Sequence, residues 1–522
     1  MKMAHRVKRT LKLLTLGGAV GGTAWFLREN DWEISTVGVM RFGRAALTVL
    51  SIVADYKMNL RGPDPNSEEY KMLKSEIHTR SALKLRELCC KNGGAFIKVG
   101  QHIGTLEYLL PSEYVQTMKV LHSDAPKSEL SDLYRVIEMD LGTKVEEIFT
   151  SFSSEPVGTA SLAQVHKATL KDGTVVAVKI QHPRVKAHSY VDIKTMEFLV
   201  NRIAWVFPDF QYVWLAEETK KNLPLELDFL NEGRHCERVA RLFKKFTFLK
   251  VPRVYWDLSS ERVLTMEFCE GGKVDDRQYM KEHNISVNEV TRNLGKLYSE
   301  MIFVQGYVHC DPHPGNVLVN KTKQGTQIVL LDHGLYQTLT DDFRVNYSKL
   351  WMSLIKADME GIKTYAMKLN AGNLYPLFAC MLTARSWKSI SSGIDRIEYT
   401  ASEEQVIKDN AAQYFIEISE ILNRVPRQLL LIMKTNDVLR GIEASLQVRS
   451  NASSFINMSR CCIRAVGLDD LRKADGYFTA FKIHINTNWQ LCKLSFYEFF
   501  LWFQDSLIGQ LLFKRKPSGF LR

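Results

Sequence analysis

The chain has 522 residues, too many for one small core, so two or more domains or lobes are expected. A hydrophobic content of 45% with 24% charged residues argues against disorder or a fibrous architecture as the main state. The formal net charge of +11 suits phosphate ligands or an anionic membrane surface without choosing between them. Nine cysteines without a Cys-x-x-Cys spacing fit reduced thiols better than a disulfide scaffold.

In chain order, the first 28 residues are basic and contain no acid before Glu29, the pattern of mitochondrial import. Between Lys12 and Arg28 lie 15 uncharged, mostly apolar residues. A bilayer span usually needs about 17–20, although the flanking Lys12 and Arg28 can snorkel. Gly17/Gly21 and Gly18/Gly22 add a small-xxx-small spacing suited to helix contact in a membrane. A mitochondrial targeting or membrane segment is expected over 1–28; a secretory signal and a merely buried helix are the alternatives.

Apolar residues at helical spacing predict a helix over 36–60. Pro63 and Pro65 break it, and 67–122 reads as several helices punctuated by Gly93-Gly94 and Pro111. Short helices are expected over 132–142 and 144–152. After Pro156 the pattern changes. Residues 161–170 alternate as a strand, Lys171-Asp172-Gly173 supplies a tight turn, and β-branched 174–181 returns as a second strand. Two further strands are expected within 251–272. Beyond 286 helices dominate, interrupted by short strands at 316–320 and 327–332. The aromatic tail 494–516 fits a packed core helix or an interfacial helix at a membrane. The implied division is 1–28, a helical extension 29–145, a β-rich lobe 146–267, a mainly helical lobe 268–486 and a tail 487–522.

The segment "VHCDPHPGNVLVN" (308–320) concentrates the chemistry. As a metal knot it would aim His309, Cys310, Asp311 and His313 at one ion. Pro312 and Pro314 interrupt that backbone, and no second Cys/His pair at zinc spacing follows. As a phosphotransfer loop it meets stronger demands. Asp311 precedes Asn316 by five residues, the separation of a kinase catalytic loop. The carboxylate can accept or orient a hydroxyl or water proton, and the amide oxygen can ligate Mg2+. The second strand after it delivers Asp332 in "LDHG", placed to bridge Mg2+ and nucleotide phosphates. Upstream, "VAVK" sets Lys179 on a strand within reach of the α/β-phosphates. Glu226, Asp228 and Glu232 in "ELDFLNEG" offer the carboxylate that must hold that lysine. The strand end "LTMEF" supplies Met266, Glu267 and Phe268 as a hinge whose backbone could grip adenine. These pieces fall in kinase order, so ATP and Mg2+ are the expected cofactors. No nucleic-acid motif is present.

Together "KVGQ" (98–101), "GTASLAQVH" (158–166), "VAVK", "ELDFLNEG", "HCDPHPGN" and "LDHG" resemble the aarF-domain-containing, UbiB-type atypical kinase family over roughly residues 80–450. The resemblance implies an α+β, bilobal protein-kinase-like fold with a helical N-terminal extension carrying the KxGQ motif. It implies Mg-ATP binding and a role in mitochondrial membrane, lipid or quinone homeostasis, with membrane lipids and mitochondrial proteins as partners. By the same resemblance, Lys98 and Gln101 lie on a helix covering the active site, and Lys98 inserts toward Glu226 and Asp228. Glu232 is then left for Lys179, with Glu226 as a rival. The family's alanine-rich phosphate loop corresponds to Gly158, Thr159, Ala160 and Ser161. Gly158 and Thr159 stand where alanines are usual, a departure that bears on nucleotide preference. The 53 residues from Lys179 to Glu232 leave room for an extra helix over 191–207. No APE motif follows "LDHG", so no peptide-binding groove is signalled. Three readings follow: a mitochondrial membrane-associated ATPase or small-molecule kinase, a non-catalytic ATP-sensing scaffold, and a Ser/Thr protein kinase.

Overall fold

The computed structural model describes residues 38–505, apart from 63, 65–66, 105–109, 123–126, 209, 211, 393–413 and 448–451. The expected targeting segment and the end of the tail lie outside the described residues. Two compact units interleave along the chain. The first takes the chain up to Val145, then Ser153–His166 and Lys179–Leu227; the second takes Glu146–Phe152, Lys167–Val178 and everything from Asp228.

The first unit is built on helices α1 (Gly38–Asn59), α2 (Glu68–Asn92), α3 (Ala95–Gly104), α4 (Ser112–Lys119) and α5 (Leu130–Leu141). Ser67 caps α2 by accepting from Tyr70 N–H, and Gly93 ends it at φ 65°, a left-handed angle that favours glycine. The "KVGQ" residues lie on α3. Its Gly100 and Gly104 let the next segment close on the helix. A Cβ on Gly104 would stand 3.0 Å from the Lys119 backbone nitrogen, and one on Gly100 would overlap the Leu121 side chain. Cys89, Phe96, Ile97, Met118, Leu121 and Leu223 form the core beneath. Buried Arg41 of α1 donates to Asp192 (2.8 Å) and to the Asn92 carbonyl (2.6 Å), so one guanidinium ties α1 to the end of α2 and to the helix holding Asp192.

After α5 the expected helix over 144–152 stops at Ile148. Phe149–Phe152 is instead strand β1, paired antiparallel with the later segment Ala168–Leu170. Phe149 is buried and packs edge-on against Phe152; the register shift between Phe149 and Ser151 brings these two rings, three residues apart, together. Then come β2 (Gly158–Thr159), β3 (Ala163–Leu170) and β4 (Val175–Gln181). The β3–β4 hairpin forms where expected. Gly173 takes φ 84°, and Asp172 Oδ1 accepts from Thr174 N–H at 2.9 Å. Two helices follow, α6 (Val185–Val206) and α7 (Val213–Glu226), where one extra helix is expected; Pro224 sits in the last turn of the second. Helix α8 (Phe229–Leu242) opens the continuous part of the second unit.

The second unit continues with β5 (Leu249–Lys250), β6 (Val263–Glu267) and β7 (Gly272–Lys273). Of the two strands expected within 251–272, only β6 is longer than two residues; Val254 contributes a single bridge to Met266. The first sheet has the order β1-β3-β4-β6, with β2 on β3. Helix α9 (Val287–Ser299) leads through a π turn to Gly306 (φ 61°) and strand β8 (Tyr307–His309). The hairpin β9 (Val317–Thr322) and β10 (Gly325–Leu330) is joined through a tight turn, and β11 (Tyr336–Thr338) pairs with β8. Beyond lie α10 (Asp341–Lys356), α11 (Met359–Lys368), α12 (Arg427–Ser445), α13 (Ala452–Arg472) and α14 (Tyr477–Asp505), with further helices at Tyr375–Thr383, Trp387–Ser392 and Phe415–Arg424. Leu297, Met301, Val308, Leu350, Ile432 and Cys462 belong to one continuous core of this unit. That core fixes the ends of β8 and β10, from which the candidate catalytic residues project.

Candidate active site

In the second unit, β8 ends at His309, a fully buried ring. Burial holds its pKa below the ordinary histidine value, opposed by the nearby Asp311 and Asp332. The ring is therefore neutral, and the Tyr298 hydroxyl, itself kept protonated by burial, donates to Nδ1 at 2.8 Å. Buried Cys310 turns its thiol to the Val308 carbonyl, and burial pushes that thiol up to about 12. His309 and Cys310 thus serve the wall of the loop.

The loop itself closes on the pair expected from the sequence. Asn316 Nδ2 donates to the Asp311 carbonyl at 3.1 Å, and Asn316 N–H donates to His313 O at 2.8 Å. Leu331 N–H reaches back to the Asn316 carbonyl at 2.9 Å, coupling this loop to the strand end that carries Asp332. Asp332 Oδ1 accepts from Gly334 N–H at 2.8 Å. With its amide nitrogen committed to the loop, Asn316 has its side-chain oxygen left as an acceptor. That oxygen and the Asp332 carboxylate are the hard donors Mg2+ prefers. Among the described residues no cluster of three His, Cys, Asp or Glu side chains forms a metal cage; an Asn–Asp pair that shares its ion with phosphates does not need one.

Glu232, on α8, is buried and accepts from His333 N–H at 3.3 Å. His333 donates from Nε2 to Leu330 O (3.2 Å) and accepts at Nδ1 from Tyr336 O–H (2.8 Å), while His235 Nδ1–H donates to the His333 carbonyl (3.1 Å). The "LDHG" turn is therefore held by α8 and by β11. Asp228, expected beside Glu226, stands at the start of α8. It is the N-cap of α8, accepting from Leu230 N–H and Asn231 N–H.

One residue of this unit was missed from sequence. Lys434, on α12, places its ammonium 3.4 Å from Asp311 Oδ1, with side chains only 10% and 18% exposed. A lone cation inside the apolar run "LLLIMKTNDVL" was the available signal. The hinge residues carry bonds of their own. Glu267 N–H already donates to Arg253 O at 2.8 Å, and its carboxylate accepts both 2.6 Å and 2.7 Å bonds from Lys250. Glu267 N–H is thus committed within the protein.

In the first unit, Gly158 and Thr159 are not a free loop. They pair with Val165 and Gln164 as strand β2, and Ala160 N–H donates to Ala163 O at 2.8 Å. His182 Nε2–H donates to the Ala160 carbonyl (2.9 Å) and Nδ1 accepts from Ser128 O–H (2.8 Å). Burial lowers its pKa, so this neutral form is the stable one. Gln164 and His166 of "AQVH" bond each other and hold Ser128 and Ser153. Ser161 O–H donates to Gln101 Oε1 at 3.2 Å, and Gln101 Nε2 donates to the Leu121 carbonyl at 3.0 Å. Lys98 meets Glu226 at 2.7 Å, with side chains 15% and 6% exposed. Glu226, the rival partner for Lys179, is therefore engaged by Lys98. Lys179 itself lies on β4 and is buried.

A family model described as the ABC1 atypical kinase-like domain matches residues 120–366. AarF domain-containing protein kinase 1 of Gallus gallus is 55% identical over 508 residues, covering 96% of this chain and 97% of the relative. The protein of the same name from Mus musculus is 53% identical over 498 residues, covering 95% of each. The chain belongs to the ABC1/AarF atypical kinase family. AarF domain-containing kinase 1 of Drosophila melanogaster keeps 48% identity over 501 residues, with 95% and 97% coverage. The solved erythromycin complex of Rv3197 from Mycobacterium tuberculosis shares the fold, with a TM-score of 0.50 at 22% identity over 74% of this chain and 99% of that one. The fold is thus kinase-like, with the helical extension that the ABC1/AarF resemblance implies.

Proposed function

We propose that this protein is a Mg-ATP-dependent atypical kinase or ATPase, associated with a mitochondrial membrane and acting in its lipid or quinone homeostasis. The observation that carries the reading is the closed loop Asp311–Asn316, bonded through Leu331 to the strand end that presents Asp332. Asn316 and Asp332 would hold the ion, which neutralises phosphate charge when bound. Asp311 is the base or the group that orients the attacking hydroxyl or water, and the family resemblance gives Lys179 and the segment Gly158–Ser161 to the nucleotide phosphates. The basic, acid-free leader and the family suggest the mitochondrion; lipids and mitochondrial proteins are the proposed partners.

A specific observation favours a second reading, an ATP-sensing scaffold: the "KVGQ" helix bonds Ser161 directly through Gln101. The deciding experiment measures ATP binding and hydrolysis by the full chain, with and without cardiolipin-rich vesicles, beside Asp332→Asn. Turnover that the variant lacks supports the enzyme. Turnover unchanged in the variant refutes the site, and tight binding without turnover favours the scaffold. Reproducible, Asp332-dependent phosphate transfer to a protein would identify a protein kinase.

A further inference from the structure

Helix α14 has two faces. Ile483, Thr487, Leu491, Leu494 and Glu498 are half-buried; Thr487 stands against Gly467 of α13, and Glu498 accepts from Arg460 of α13 at 2.7 Å. The opposite face is apolar and open. Phe478, Phe481, Ile485, Trp489, Phe496 and Phe499 are all exposed, Phe478 by 72% and Phe496 by 70%. At about 100° per residue these six fall within an arc of roughly 80° along the whole helix. Scattered surface apolar residues need no explanation, but a continuous aromatic stripe of this length does.

The charge around the stripe says what covers it. Lys482 and Lys493 lie along one border, their ammonium groups 4.7 Å and 5.3 Å from the Phe478 and Trp489 ring centroids. Of the helix's two acids, Glu498 is turned to Arg460 and Asp505 is its last residue. The sequence that follows, 506–522, carries Lys514, Arg515, Lys516 and Arg522 and no acid. A second copy of this helix would bring like lysine borders toward each other; an anionic phospholipid headgroup layer answers them. Among the described residues no helix is long and apolar enough to cross a membrane, so the helix would lie along the interface rather than span it.

We propose that α14 is a membrane-docking helix, burying its aromatic stripe at the headgroup boundary of a bilayer rich in anionic phospholipid. Lysine stems lie over the rings while their ammonium groups stay with the headgroups. The inference rests only on the membrane-associated part of the proposed function, and it stands whether or not the Asp311 loop turns over ATP.

The test is co-sedimentation of the full chain with phosphatidylcholine vesicles, with and without 30% phosphatidylglycerol (a level chosen to be ample for binding). The variant is Phe481→Asn/Trp489→Asn/Phe496→Asn, three exposed positions whose replacement leaves the α13 contacts alone. The expected result is binding to anionic vesicles that weakens at least about tenfold in the triple variant. It also weakens in Lys482→Glu/Lys493→Glu. Unchanged partition of the triple variant overturns the proposal, even if a leader-dependent membrane association persists. So does sedimentation equilibrium that shows a dimer abolished by the same substitutions. A second readout labels Cys492, exposed on the same arc, with an environment-sensitive dye in a Cys90→Ser background. A blue shift on anionic vesicles supports docking, and no shift overturns it.

Discussion

Lys434 is the residue whose removal tests the candidate site most directly. Its ammonium lies 3.4 Å from Asp311 Oδ1, and both side chains are largely withdrawn from water. At that distance and an effective dielectric near 20, the Coulomb attraction is about 5 kcal/mol. Desolvation of both ions offsets much of it, leaving an expected coupling of about 1–3 kcal/mol. A double-mutant cycle with Lys434→Met and Asp311→Asn, read by denaturant unfolding, measures that coupling without relying on turnover. The same geometry makes Lys434 a positioning residue for Asp311. Lys434→Met should lower kcat for ATP turnover by about 10- to 100-fold, equivalent to about 1.4–2.7 kcal/mol, with little change in KM. Lys434→Arg should restore part of it. Coupling below about 0.5 kcal/mol, or a Lys434→Met enzyme with unaltered kcat, would refute the assignment.

Four further outcomes are expected. Lys98→Met should destabilise the protein by about 3–5 kcal/mol, since it removes one partner of a buried pair; adding Glu226→Gln should recover part of this in the same denaturation assay. Gly104→Ala should cost about 1–3 kcal/mol because its Cβ meets backbone rather than a yielding side chain. Gly158→Ala meets nothing within 4 Å and should shift the melting temperature little or slightly upward. For His182, burial puts the folded pKa below the ordinary 6.5, with the Ala160 bond opposing. Its contribution is therefore complete above pH 6.5 and is lost as pH falls from there toward the folded value, because the unfolded chain binds the proton first. Comparing melting temperatures of wild type and His182→Gln from pH 8 to 5 should show a shallower acid limb in the variant, and identical limbs would contradict this.

Local signals carried a good part of the fold. The β3–β4 hairpin announced itself through alternation and Asp172-Gly173, and the Asp311–Asn316 spacing located a loop whose two ends are joined by a hydrogen bond. What escaped was decided by partners far away in the chain. Phe149–Phe152 has the composition of a helix end, but pairing with Ala168–Leu170 makes it a strand. Nothing in the spacing of Asp228 shows that it also caps α8. Lys434 lies 123 residues from Asp311, beyond any spacing rule. Glu267 carried the hinge pattern, while Arg253 and Lys250 determined which of its groups remain available. The tail posed a real choice between core and interface, because its aromatic content is the same in both cases and only the exposure of its stripe separates them.

The matched kinase-like segment, 120–366, does not coincide with the physical units. It begins after Lys98 and Gln101, so it contains Glu226 and Ser161 but neither of the residues that meet them. It ends before Lys434, so it keeps Asp311 without its ammonium partner. It also omits α12 and α13, whose Leu429, Ile432, Cys461 and Cys462 complete the core of the second unit. Cutting there exposes apolar surface on one side and leaves Glu226, nearly buried in the whole protein, without Lys98 on the other. A fragment of residues 120–366 should therefore lose the cooperative melting transition that the full chain keeps. Restoring 90–119 alone should return the Lys98 and Gln101 bonds without rescuing the second unit, because the missing core lies at the opposite end of the sequence. A fragment that melts as cooperatively as the whole protein would show that the extension and α12–α13 are accessories, and the roles given to Lys98 and Lys434 would fall with it.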